Sequence, residues 1–152
     1  GPLNRPSTPG GSSTPTSTPN PTPTPTPSTP GAAVPQIYAP ATLGLGMSGS
    51  GTTVTIRPDA TTGSPTSDLR LRLTVPTGVT LSGSTGAWIS CTQSGTTITC
   101  LTAATAATTF TGTVNTTWPA GIAGACIAAV SGTTTGGAPL SASLGVPWPL
   151  LG

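Results

Sequence analysis

From about Ala33 onward, apolar and polar residues alternate in short runs broken by Gly, Ser and Thr clusters. In Leu69-Arg70-Leu71-Arg72-Leu73-Thr74-Val75 the period is two, which puts Leu and Val on one face and Arg and Thr on the other. Thr109 to Trp118 repeats this, with Phe110, Val114 and Trp118 on one face. No helical stripe of useful length competes. Ala103–Ala107 is the only helix-like run, and Thr105 interrupts it. The pattern predicts strands over Thr42–Met47, Thr52–Arg57, Leu69–Val75, Val79–Leu81, Ala87–Gln93, Thr96–Leu101, Thr108–Trp118, Gly124–Ser131 and Leu140–Val146. Many short strands at regular spacing imply an all-β chain folded as an immunoglobulin-like β-sandwich. Its expected core is Leu43, Val54, Ile56, Leu69, Leu71, Leu73, Val75, Val79, Leu81, Ile89, Ile98, Phe110, Val114, Ile127, Val130, Leu144 and Val146.

The first part of the chain cannot join that core. Residues 6–31 are a Pro/Thr/Ser tract with a regular Pro-Thr alternation from Pro21 to Pro27. Proline removes backbone donors and fixes φ, and almost nothing here could be buried. The tract is expected to be a disordered, semi-rigid spacer of polyproline II character, reaching roughly 80 Å if fully extended. Its Pro-flanked hydroxyls are plausible O-glycan acceptors. Gly1-Pro2 has the form of a remnant of tag removal. The expected organisation is therefore remnant and linker over 1–32, sandwich over 33–147 and a tail over 148–152. The whole reads as a piece of a longer protein.

Composition narrows the function. The 152 residues hold four Lys plus Arg, two Asp plus Glu and no His. The cations are Arg5, Arg57, Arg70 and Arg72, and the carboxylates are Asp59 and Asp68. General acid–base catalysis, nucleophile activation and metal binding draw on residues that are nearly missing, so no catalytic residue, metal ligand or cofactor is expected. A net charge of +2, with few aromatics, argues against nucleic acid as a partner. No stretch of about 18 apolar residues occurs, so no direct membrane insertion is expected. Solubility rests on hydroxyls, which suits an extracellular or cell-surface location.

The cysteines carry the most specific local signal. In Cys91-Thr-Gln-Ser-Gly-Thr-Thr-Ile-Thr-Cys100, a two-residue loop at Gly95-Thr96 faces Ser94 with Thr97. Counting outward puts Cys91 opposite Cys100 in a non-hydrogen-bonded pair, whose Cα separation of about 4.5 Å is within disulfide reach. Cys126, in an apolar strand without a neighbouring base or cation, is expected to be a buried free thiol.

Leu73-Thr-Val-Pro-Thr-Gly-Val-Thr-Leu81, Gly86-Ala-Trp-Ile-Ser-Cys91 and Gly95-Thr-Thr-Ile-Thr-Cys100 together resemble a bacterial surface repeat, the domain of unknown function eleven. The resemblance covers roughly residues 52–131. It implies an immunoglobulin-like sandwich on exported bacterial proteins, often in stalks or walls. Two departures stand out. The family shows Trp-x-Cys, whereas this chain has Trp88-Ile-Ser-Cys91, so either a bulge restores the facing or Trp88 points away from the disulfide. The chain also has no Lys for the Lys–Asn crosslink of many bacterial stalk domains.

Three functional readings follow. The first is a non-catalytic extracellular module for structural display or protein contact at a bacterial surface. The second is a carbohydrate-binding module on a Pro/Thr linker, with Trp88 and Trp118 as candidate ligand-binding residues and Trp148 extending the strip. The third is the ectodomain of a membrane signalling protein such as an anti-sigma factor. A surface protein or a glycan is the expected partner. Asn115-Thr116-Thr117 has the form of an N-glycosylation sequon but is expected to be ordinary strand. Arg57, Arg70 and Arg72 with Asp59 and Asp68 are expected to form a solvated salt-bridge cluster, with a small anion site or a Ca²⁺ site as the alternatives.

Overall fold

The computed structural model describes residues 37–149. The expected linker over 1–32 lies outside them. The described chain forms ten strands: β1 (Ala41–Ser50), β2 (Thr53–Thr66), β3 (Arg70–Thr74), β4 (Thr80–Gly86), β5 (Ser90–Ser94), β6 (Thr97–Leu101), β7 (Ala107–Phe110), β8 (Gly112–Thr117), β9 (Gly124–Thr133) and β10 (Pro139–Trp148). They make two antiparallel sheets. One runs β1-β2-β8-β4, with β7 also paired to β2, and the other runs β10-β9-β3-β6-β5. This is the immunoglobulin-like sandwich that the alternation predicts. Among the described residues, no helix is long and apolar enough to cross a membrane.

Inward-facing residues of both sheets meet in one core. Ile56, Leu71, Leu73, Ile98 and Val114 are fully buried there, with Trp88, Trp118 and Phe110. The largest buried side chains come from strands whose alternation is cleanest, such as β3, where Leu71 and Leu73 point in and Arg70, Arg72 and Thr74 point out. Leu43, Leu81, Leu144 and Val146 are only half-buried, since their strands lie toward the rims.

Two expected core residues lie outside. Ile127 is 50% exposed and Ile89 is 60% exposed. In β9 the buried set is Cys126, Ala128 and Val130, and period two then sends Ile127 outward. Ile89 precedes β5 in a short turn, where its N–H donates to the Ala87 carbonyl at 3.0 Å and to the Leu101 carbonyl at 3.2 Å. That turn aims Trp88 inward and Ile89 outward. β10 runs one residue past the expected end of the sandwich, through a half-buried Trp148.

The predicted strand over Thr108–Trp118 is divided into β7 and β8, and β2 runs well past the expected Arg57. One residue accounts for the division. β2 pairs β8 from Thr53↔Thr117 to Ile56↔Val114, then pairs β7 at Ala60↔Phe110 and Thr61↔Thr109 in the same register. The pairing lapses opposite Pro58. Val54, Ile56, Pro58 and Ala60 turn their backbone polar groups toward the β7/β8 side, as the alternation of an antiparallel strand requires. Pro58 has no N–H to offer there.

Gly86 closes β4 against the β7–β8 junction. Its φ is +71°, and a Cβ added there would lie 2.5 Å from the Thr111 carbonyl oxygen and 2.7 Å from Gly112 Cα. Both are backbone atoms that cannot swing aside. Gly86→Ala should destabilise the domain by roughly 1–3 kcal/mol in urea unfolding, through strain and overlap together.

Candidate functional site

Four groups of residues bear on function: the tryptophans, the cysteines, the Asp68 junction and the arginines. Trp88 lies between β4 and β5, where the chain crosses from one sheet to the other, and its side chain is fully buried. Its indole Nε1–H donates to the Pro58 carbonyl at 3.0 Å. That carbonyl is the acceptor left over where the β2 ladder lapses, so the indole replaces a missing strand donor. Trp118 is 2% exposed. Its Nε1–H donates to Thr116 Oγ1 at 2.9 Å, and the Thr116 hydroxyl donates to the Val54 carbonyl at 2.8 Å.

Both indoles are therefore committed inside, and neither offers a face to a sugar ring. The Trp strip of the alternative, carbohydrate-binding reading therefore lacks Trp88 and Trp118 as exposed faces. In the sequon, Asn115 is half-buried in β8 and Thr117 is exposed, while the middle residue Thr116 is buried and bonded in mid-strand. Trp88 was legible as a candidate only by residue type; its real partner, Pro58, sits 30 residues away in the sequence.

The cysteine hairpin has the predicted register. Ser94 faces Thr97 and Cys91 faces Cys100, with Gly95 at φ +59° in the turn. The two cysteines form a disulfide with a Cα–Cα distance of 4.0 Å. A turn over Ala87–Ile89 sets the facing of Trp88. It brings Trp88 to the core side with Cys100, and leaves Cys91 Sγ 3.8 Å from the Trp88 carbonyl oxygen. Gln93, in the same hairpin, reaches across to the other sheet. Its Oε1 accepts from the Leu81 N–H at 2.8 Å, and its Nε2 donates to the Val79 carbonyl at 2.7 Å and the Gly95 carbonyl at 3.0 Å.

Cys126 is free and buried, and burial pushes its thiol up to about 11. At neutral pH it is a protonated core residue rather than a nucleophile.

Asp68 lies in the crossing from β2 to β3. Its Oδ1 accepts from the Thr133 N–H at 2.8 Å and lies 2.8 Å from the Thr66 hydroxyl. That hydroxyl also stands 2.6 Å from the Thr133 carbonyl oxygen. The carboxylate thus ties the start of β3 to the end of β9. The Thr133 N–H, then the Thr66 hydroxyl, hold its pKa below the ordinary carboxylate value.

The expected salt-bridge cluster is divided between two surfaces. Arg57 and Asp59 face outward from β2 in one sheet, while Arg70 and Arg72 face outward from β3 in the other. A cavity of about 280 Å³ lies along the second surface, lined by Arg70, Arg72, Ala129, Ser131, Ser141 and Ser143. Among the described residues, no three of His, Cys, Asp and Glu gather as metal ligands would.

No family model matches the chain, and no curated protein does. Two crystal structures of BcpA, the major pilin subunit of Bacillus cereus, share the fold. A point variant aligns with a TM-score of 0.54 at 9% identity, over 71% of this chain and 40% of that one. A second BcpA structure gives 0.50 and 8%, over 71% and 39%. The chain thus spans well under half of the pilin chains it matches. At such identities the likeness speaks for the sandwich alone.

Three outcomes follow. Trp88→Phe keeps an aromatic core but orphans the buried Pro58 carbonyl, and should cost about 1–3 kcal/mol in urea unfolding. Reducing Cys91–Cys100 opens a short loop and should cost about 2.5 kcal/mol, read as a lower urea midpoint with reductant present. The lowered pKa of Asp68 means its contribution is complete above the unfolded carboxylate value of about 3.9 and is lost as pH falls through the lower folded value. Asp68→Asn should therefore flatten the acid side of the stability–pH curve by a small amount, since this carboxylate is exposed and screened.

Proposed function

We propose that this chain is a non-catalytic extracellular module for structural display or protein contact at a bacterial surface. The observation that carries the reading is the disulfide-braced sandwich itself, whose outer faces are covered by Thr and Ser rather than by charge. Stable disulfides belong to oxidising compartments. The pilin subunit BcpA shares the sandwich fold, and the proposed placement is consistent with that likeness of fold. The scarcity of titratable groups, with Cys126 buried and protonated, supports a role without turnover.

Membership of the bacterial surface repeat family is part of this proposal. Its support is the placement of Trp88 and Cys100 in the core, with the half-buried Cys91 packed against that core. The mechanism is mechanical. The Pro/Thr tract sets a distance, and the rigid sandwich presents loops and faces to a surface protein or glycan. With both indoles buried, a tryptophan-based glycan platform has no support.

Antibody against the sandwich, applied to intact and to permeabilised source cells, tests the reading. Labelling of intact cells, lost after protease shaving, is the expected result. Signal that emerges only after permeabilisation overturns it.

A further inference from the structure

The outer surface of the β10-β9-β3-β6-β5 sheet concentrates donors. Arg70 and Arg72 are exposed and lie two residues apart on β3, which sets their Cα atoms roughly 6.7 Å apart on one face. Pairing carries the pattern across the strands. Arg72 faces Ala129, which faces Ser143, and Arg70 faces Ser131, which faces Ser141. Ala129 is small, so the surface dips between taller neighbours, forming the 280 Å³ cavity described above.

The chemistry of the lining is one-sided. Two guanidiniums supply fixed donors in a planar fork, three serines supply hydroxyls, and no lining side chain is an obligate acceptor. The nearest carboxylate, Asp68, borders an adjoining dip with Arg70, Ser131, Gly132 and Thr133. Its Oδ1 is engaged by Thr66 and Thr133, and its charge also acts on Arg70. A chain with so few charges has placed two of its three described cations around one cavity.

We propose that this cavity is a binding site for a carboxylate-bearing sugar, a uronate unit of an acidic polysaccharide. A uronate carries a carboxylate and hydroxyls on one ring. The carboxylate suits an Arg fork, and the ring hydroxyls suit the adjacent serines. The volume lies at the low end for ligand pockets, which fits one or two sugar units of a longer polymer rather than an enclosed small molecule. The proposal rests on the surface reading above, because it names a partner for the displayed module.

The test uses the intact chain and an oligogalacturonate, followed by amide chemical shifts. The expected shifts centre on Arg72, Ala129, Ser131 and Ser143, and weaken as salt is raised. Replacing both Arg70 and Arg72 with Ala should weaken binding about tenfold or more, while Arg57→Ala, on the opposite sheet, should leave it unchanged. Arg72→Lys keeps the charge but loses the fork, and should weaken binding a few-fold. Thermal melts of each variant check folding, which these exposed side chains should not disturb.

Equal loss in Arg57→Ala would show mere charge attraction and overturn the site. So would equal binding of a neutral malto-oligosaccharide, preference for a glycerol-phosphate oligomer, or no binding at all. A protein that labels on intact cells yet ignores oligogalacturonate sinks this inference and leaves the surface reading standing.

Discussion

The sandwich turns on a single missing hydrogen. Pro58 sits in the middle of β2 and cannot donate to its neighbour, so the ladder between β2 and the β7/β8 strand lapses there. A gap in the middle of a sheet would leave a buried carbonyl without a partner. Trp88 closes it with its indole N–H. Because Trp88 belongs to the chain segment that crosses between sheets, the same bond that mends one sheet fastens the crossing to it. The disulfide hairpin begins two residues later. Proline, tryptophan and cystine thus act as one connected brace.

Around that brace the molecule uses hydroxyls where other proteins use charge. Threonines serve inside as well as outside. Thr116 relays a hydrogen bond from Trp118 to the β2 backbone, and Thr66 joins Asp68 to β9. Such bonds depend little on ionic strength and, Asp68 apart, little on pH, in contrast to exposed ion pairs. The few charges that remain are set apart on two outer faces. This separation makes the Arg70–Arg72 surface distinctive against a nearly neutral background.

Much of this was legible in the sequence, and the limits have physical causes. Period-two runs located β3, β6, β9 and most of the core, because burial on one face dictates alternation. The Cys91–Cys100 pairing followed from turn geometry and spacing, both local quantities. Long-range partners left no such trace. Nothing near Trp88 points to Pro58, so an exposed platform stayed open as the alternative reading of the indole. Ile127 was misplaced because Ile127 and Val130 have opposite parity in one strand, and only one can face inward. Ile89 was misplaced because a tight turn replaced the expected strand. The arginines and aspartates look like one cluster in a list of residues, but the crossing from β2 to β3 separates them.

Gln93 has a consequence for crowded surfaces. A strand at the rim of a sheet normally leaves a row of open donors and acceptors, and another molecule's strand can zip onto them. Most proteins guard such rims with lysines, which this chain does not have. Here the carboxamide of Gln93 imitates a neighbouring strand, occupying the Leu81 N–H and the Val79 carbonyl on the rim of β4. Many copies packed side by side would then find the first positions of that rim already taken, without electrostatic repulsion to guard them.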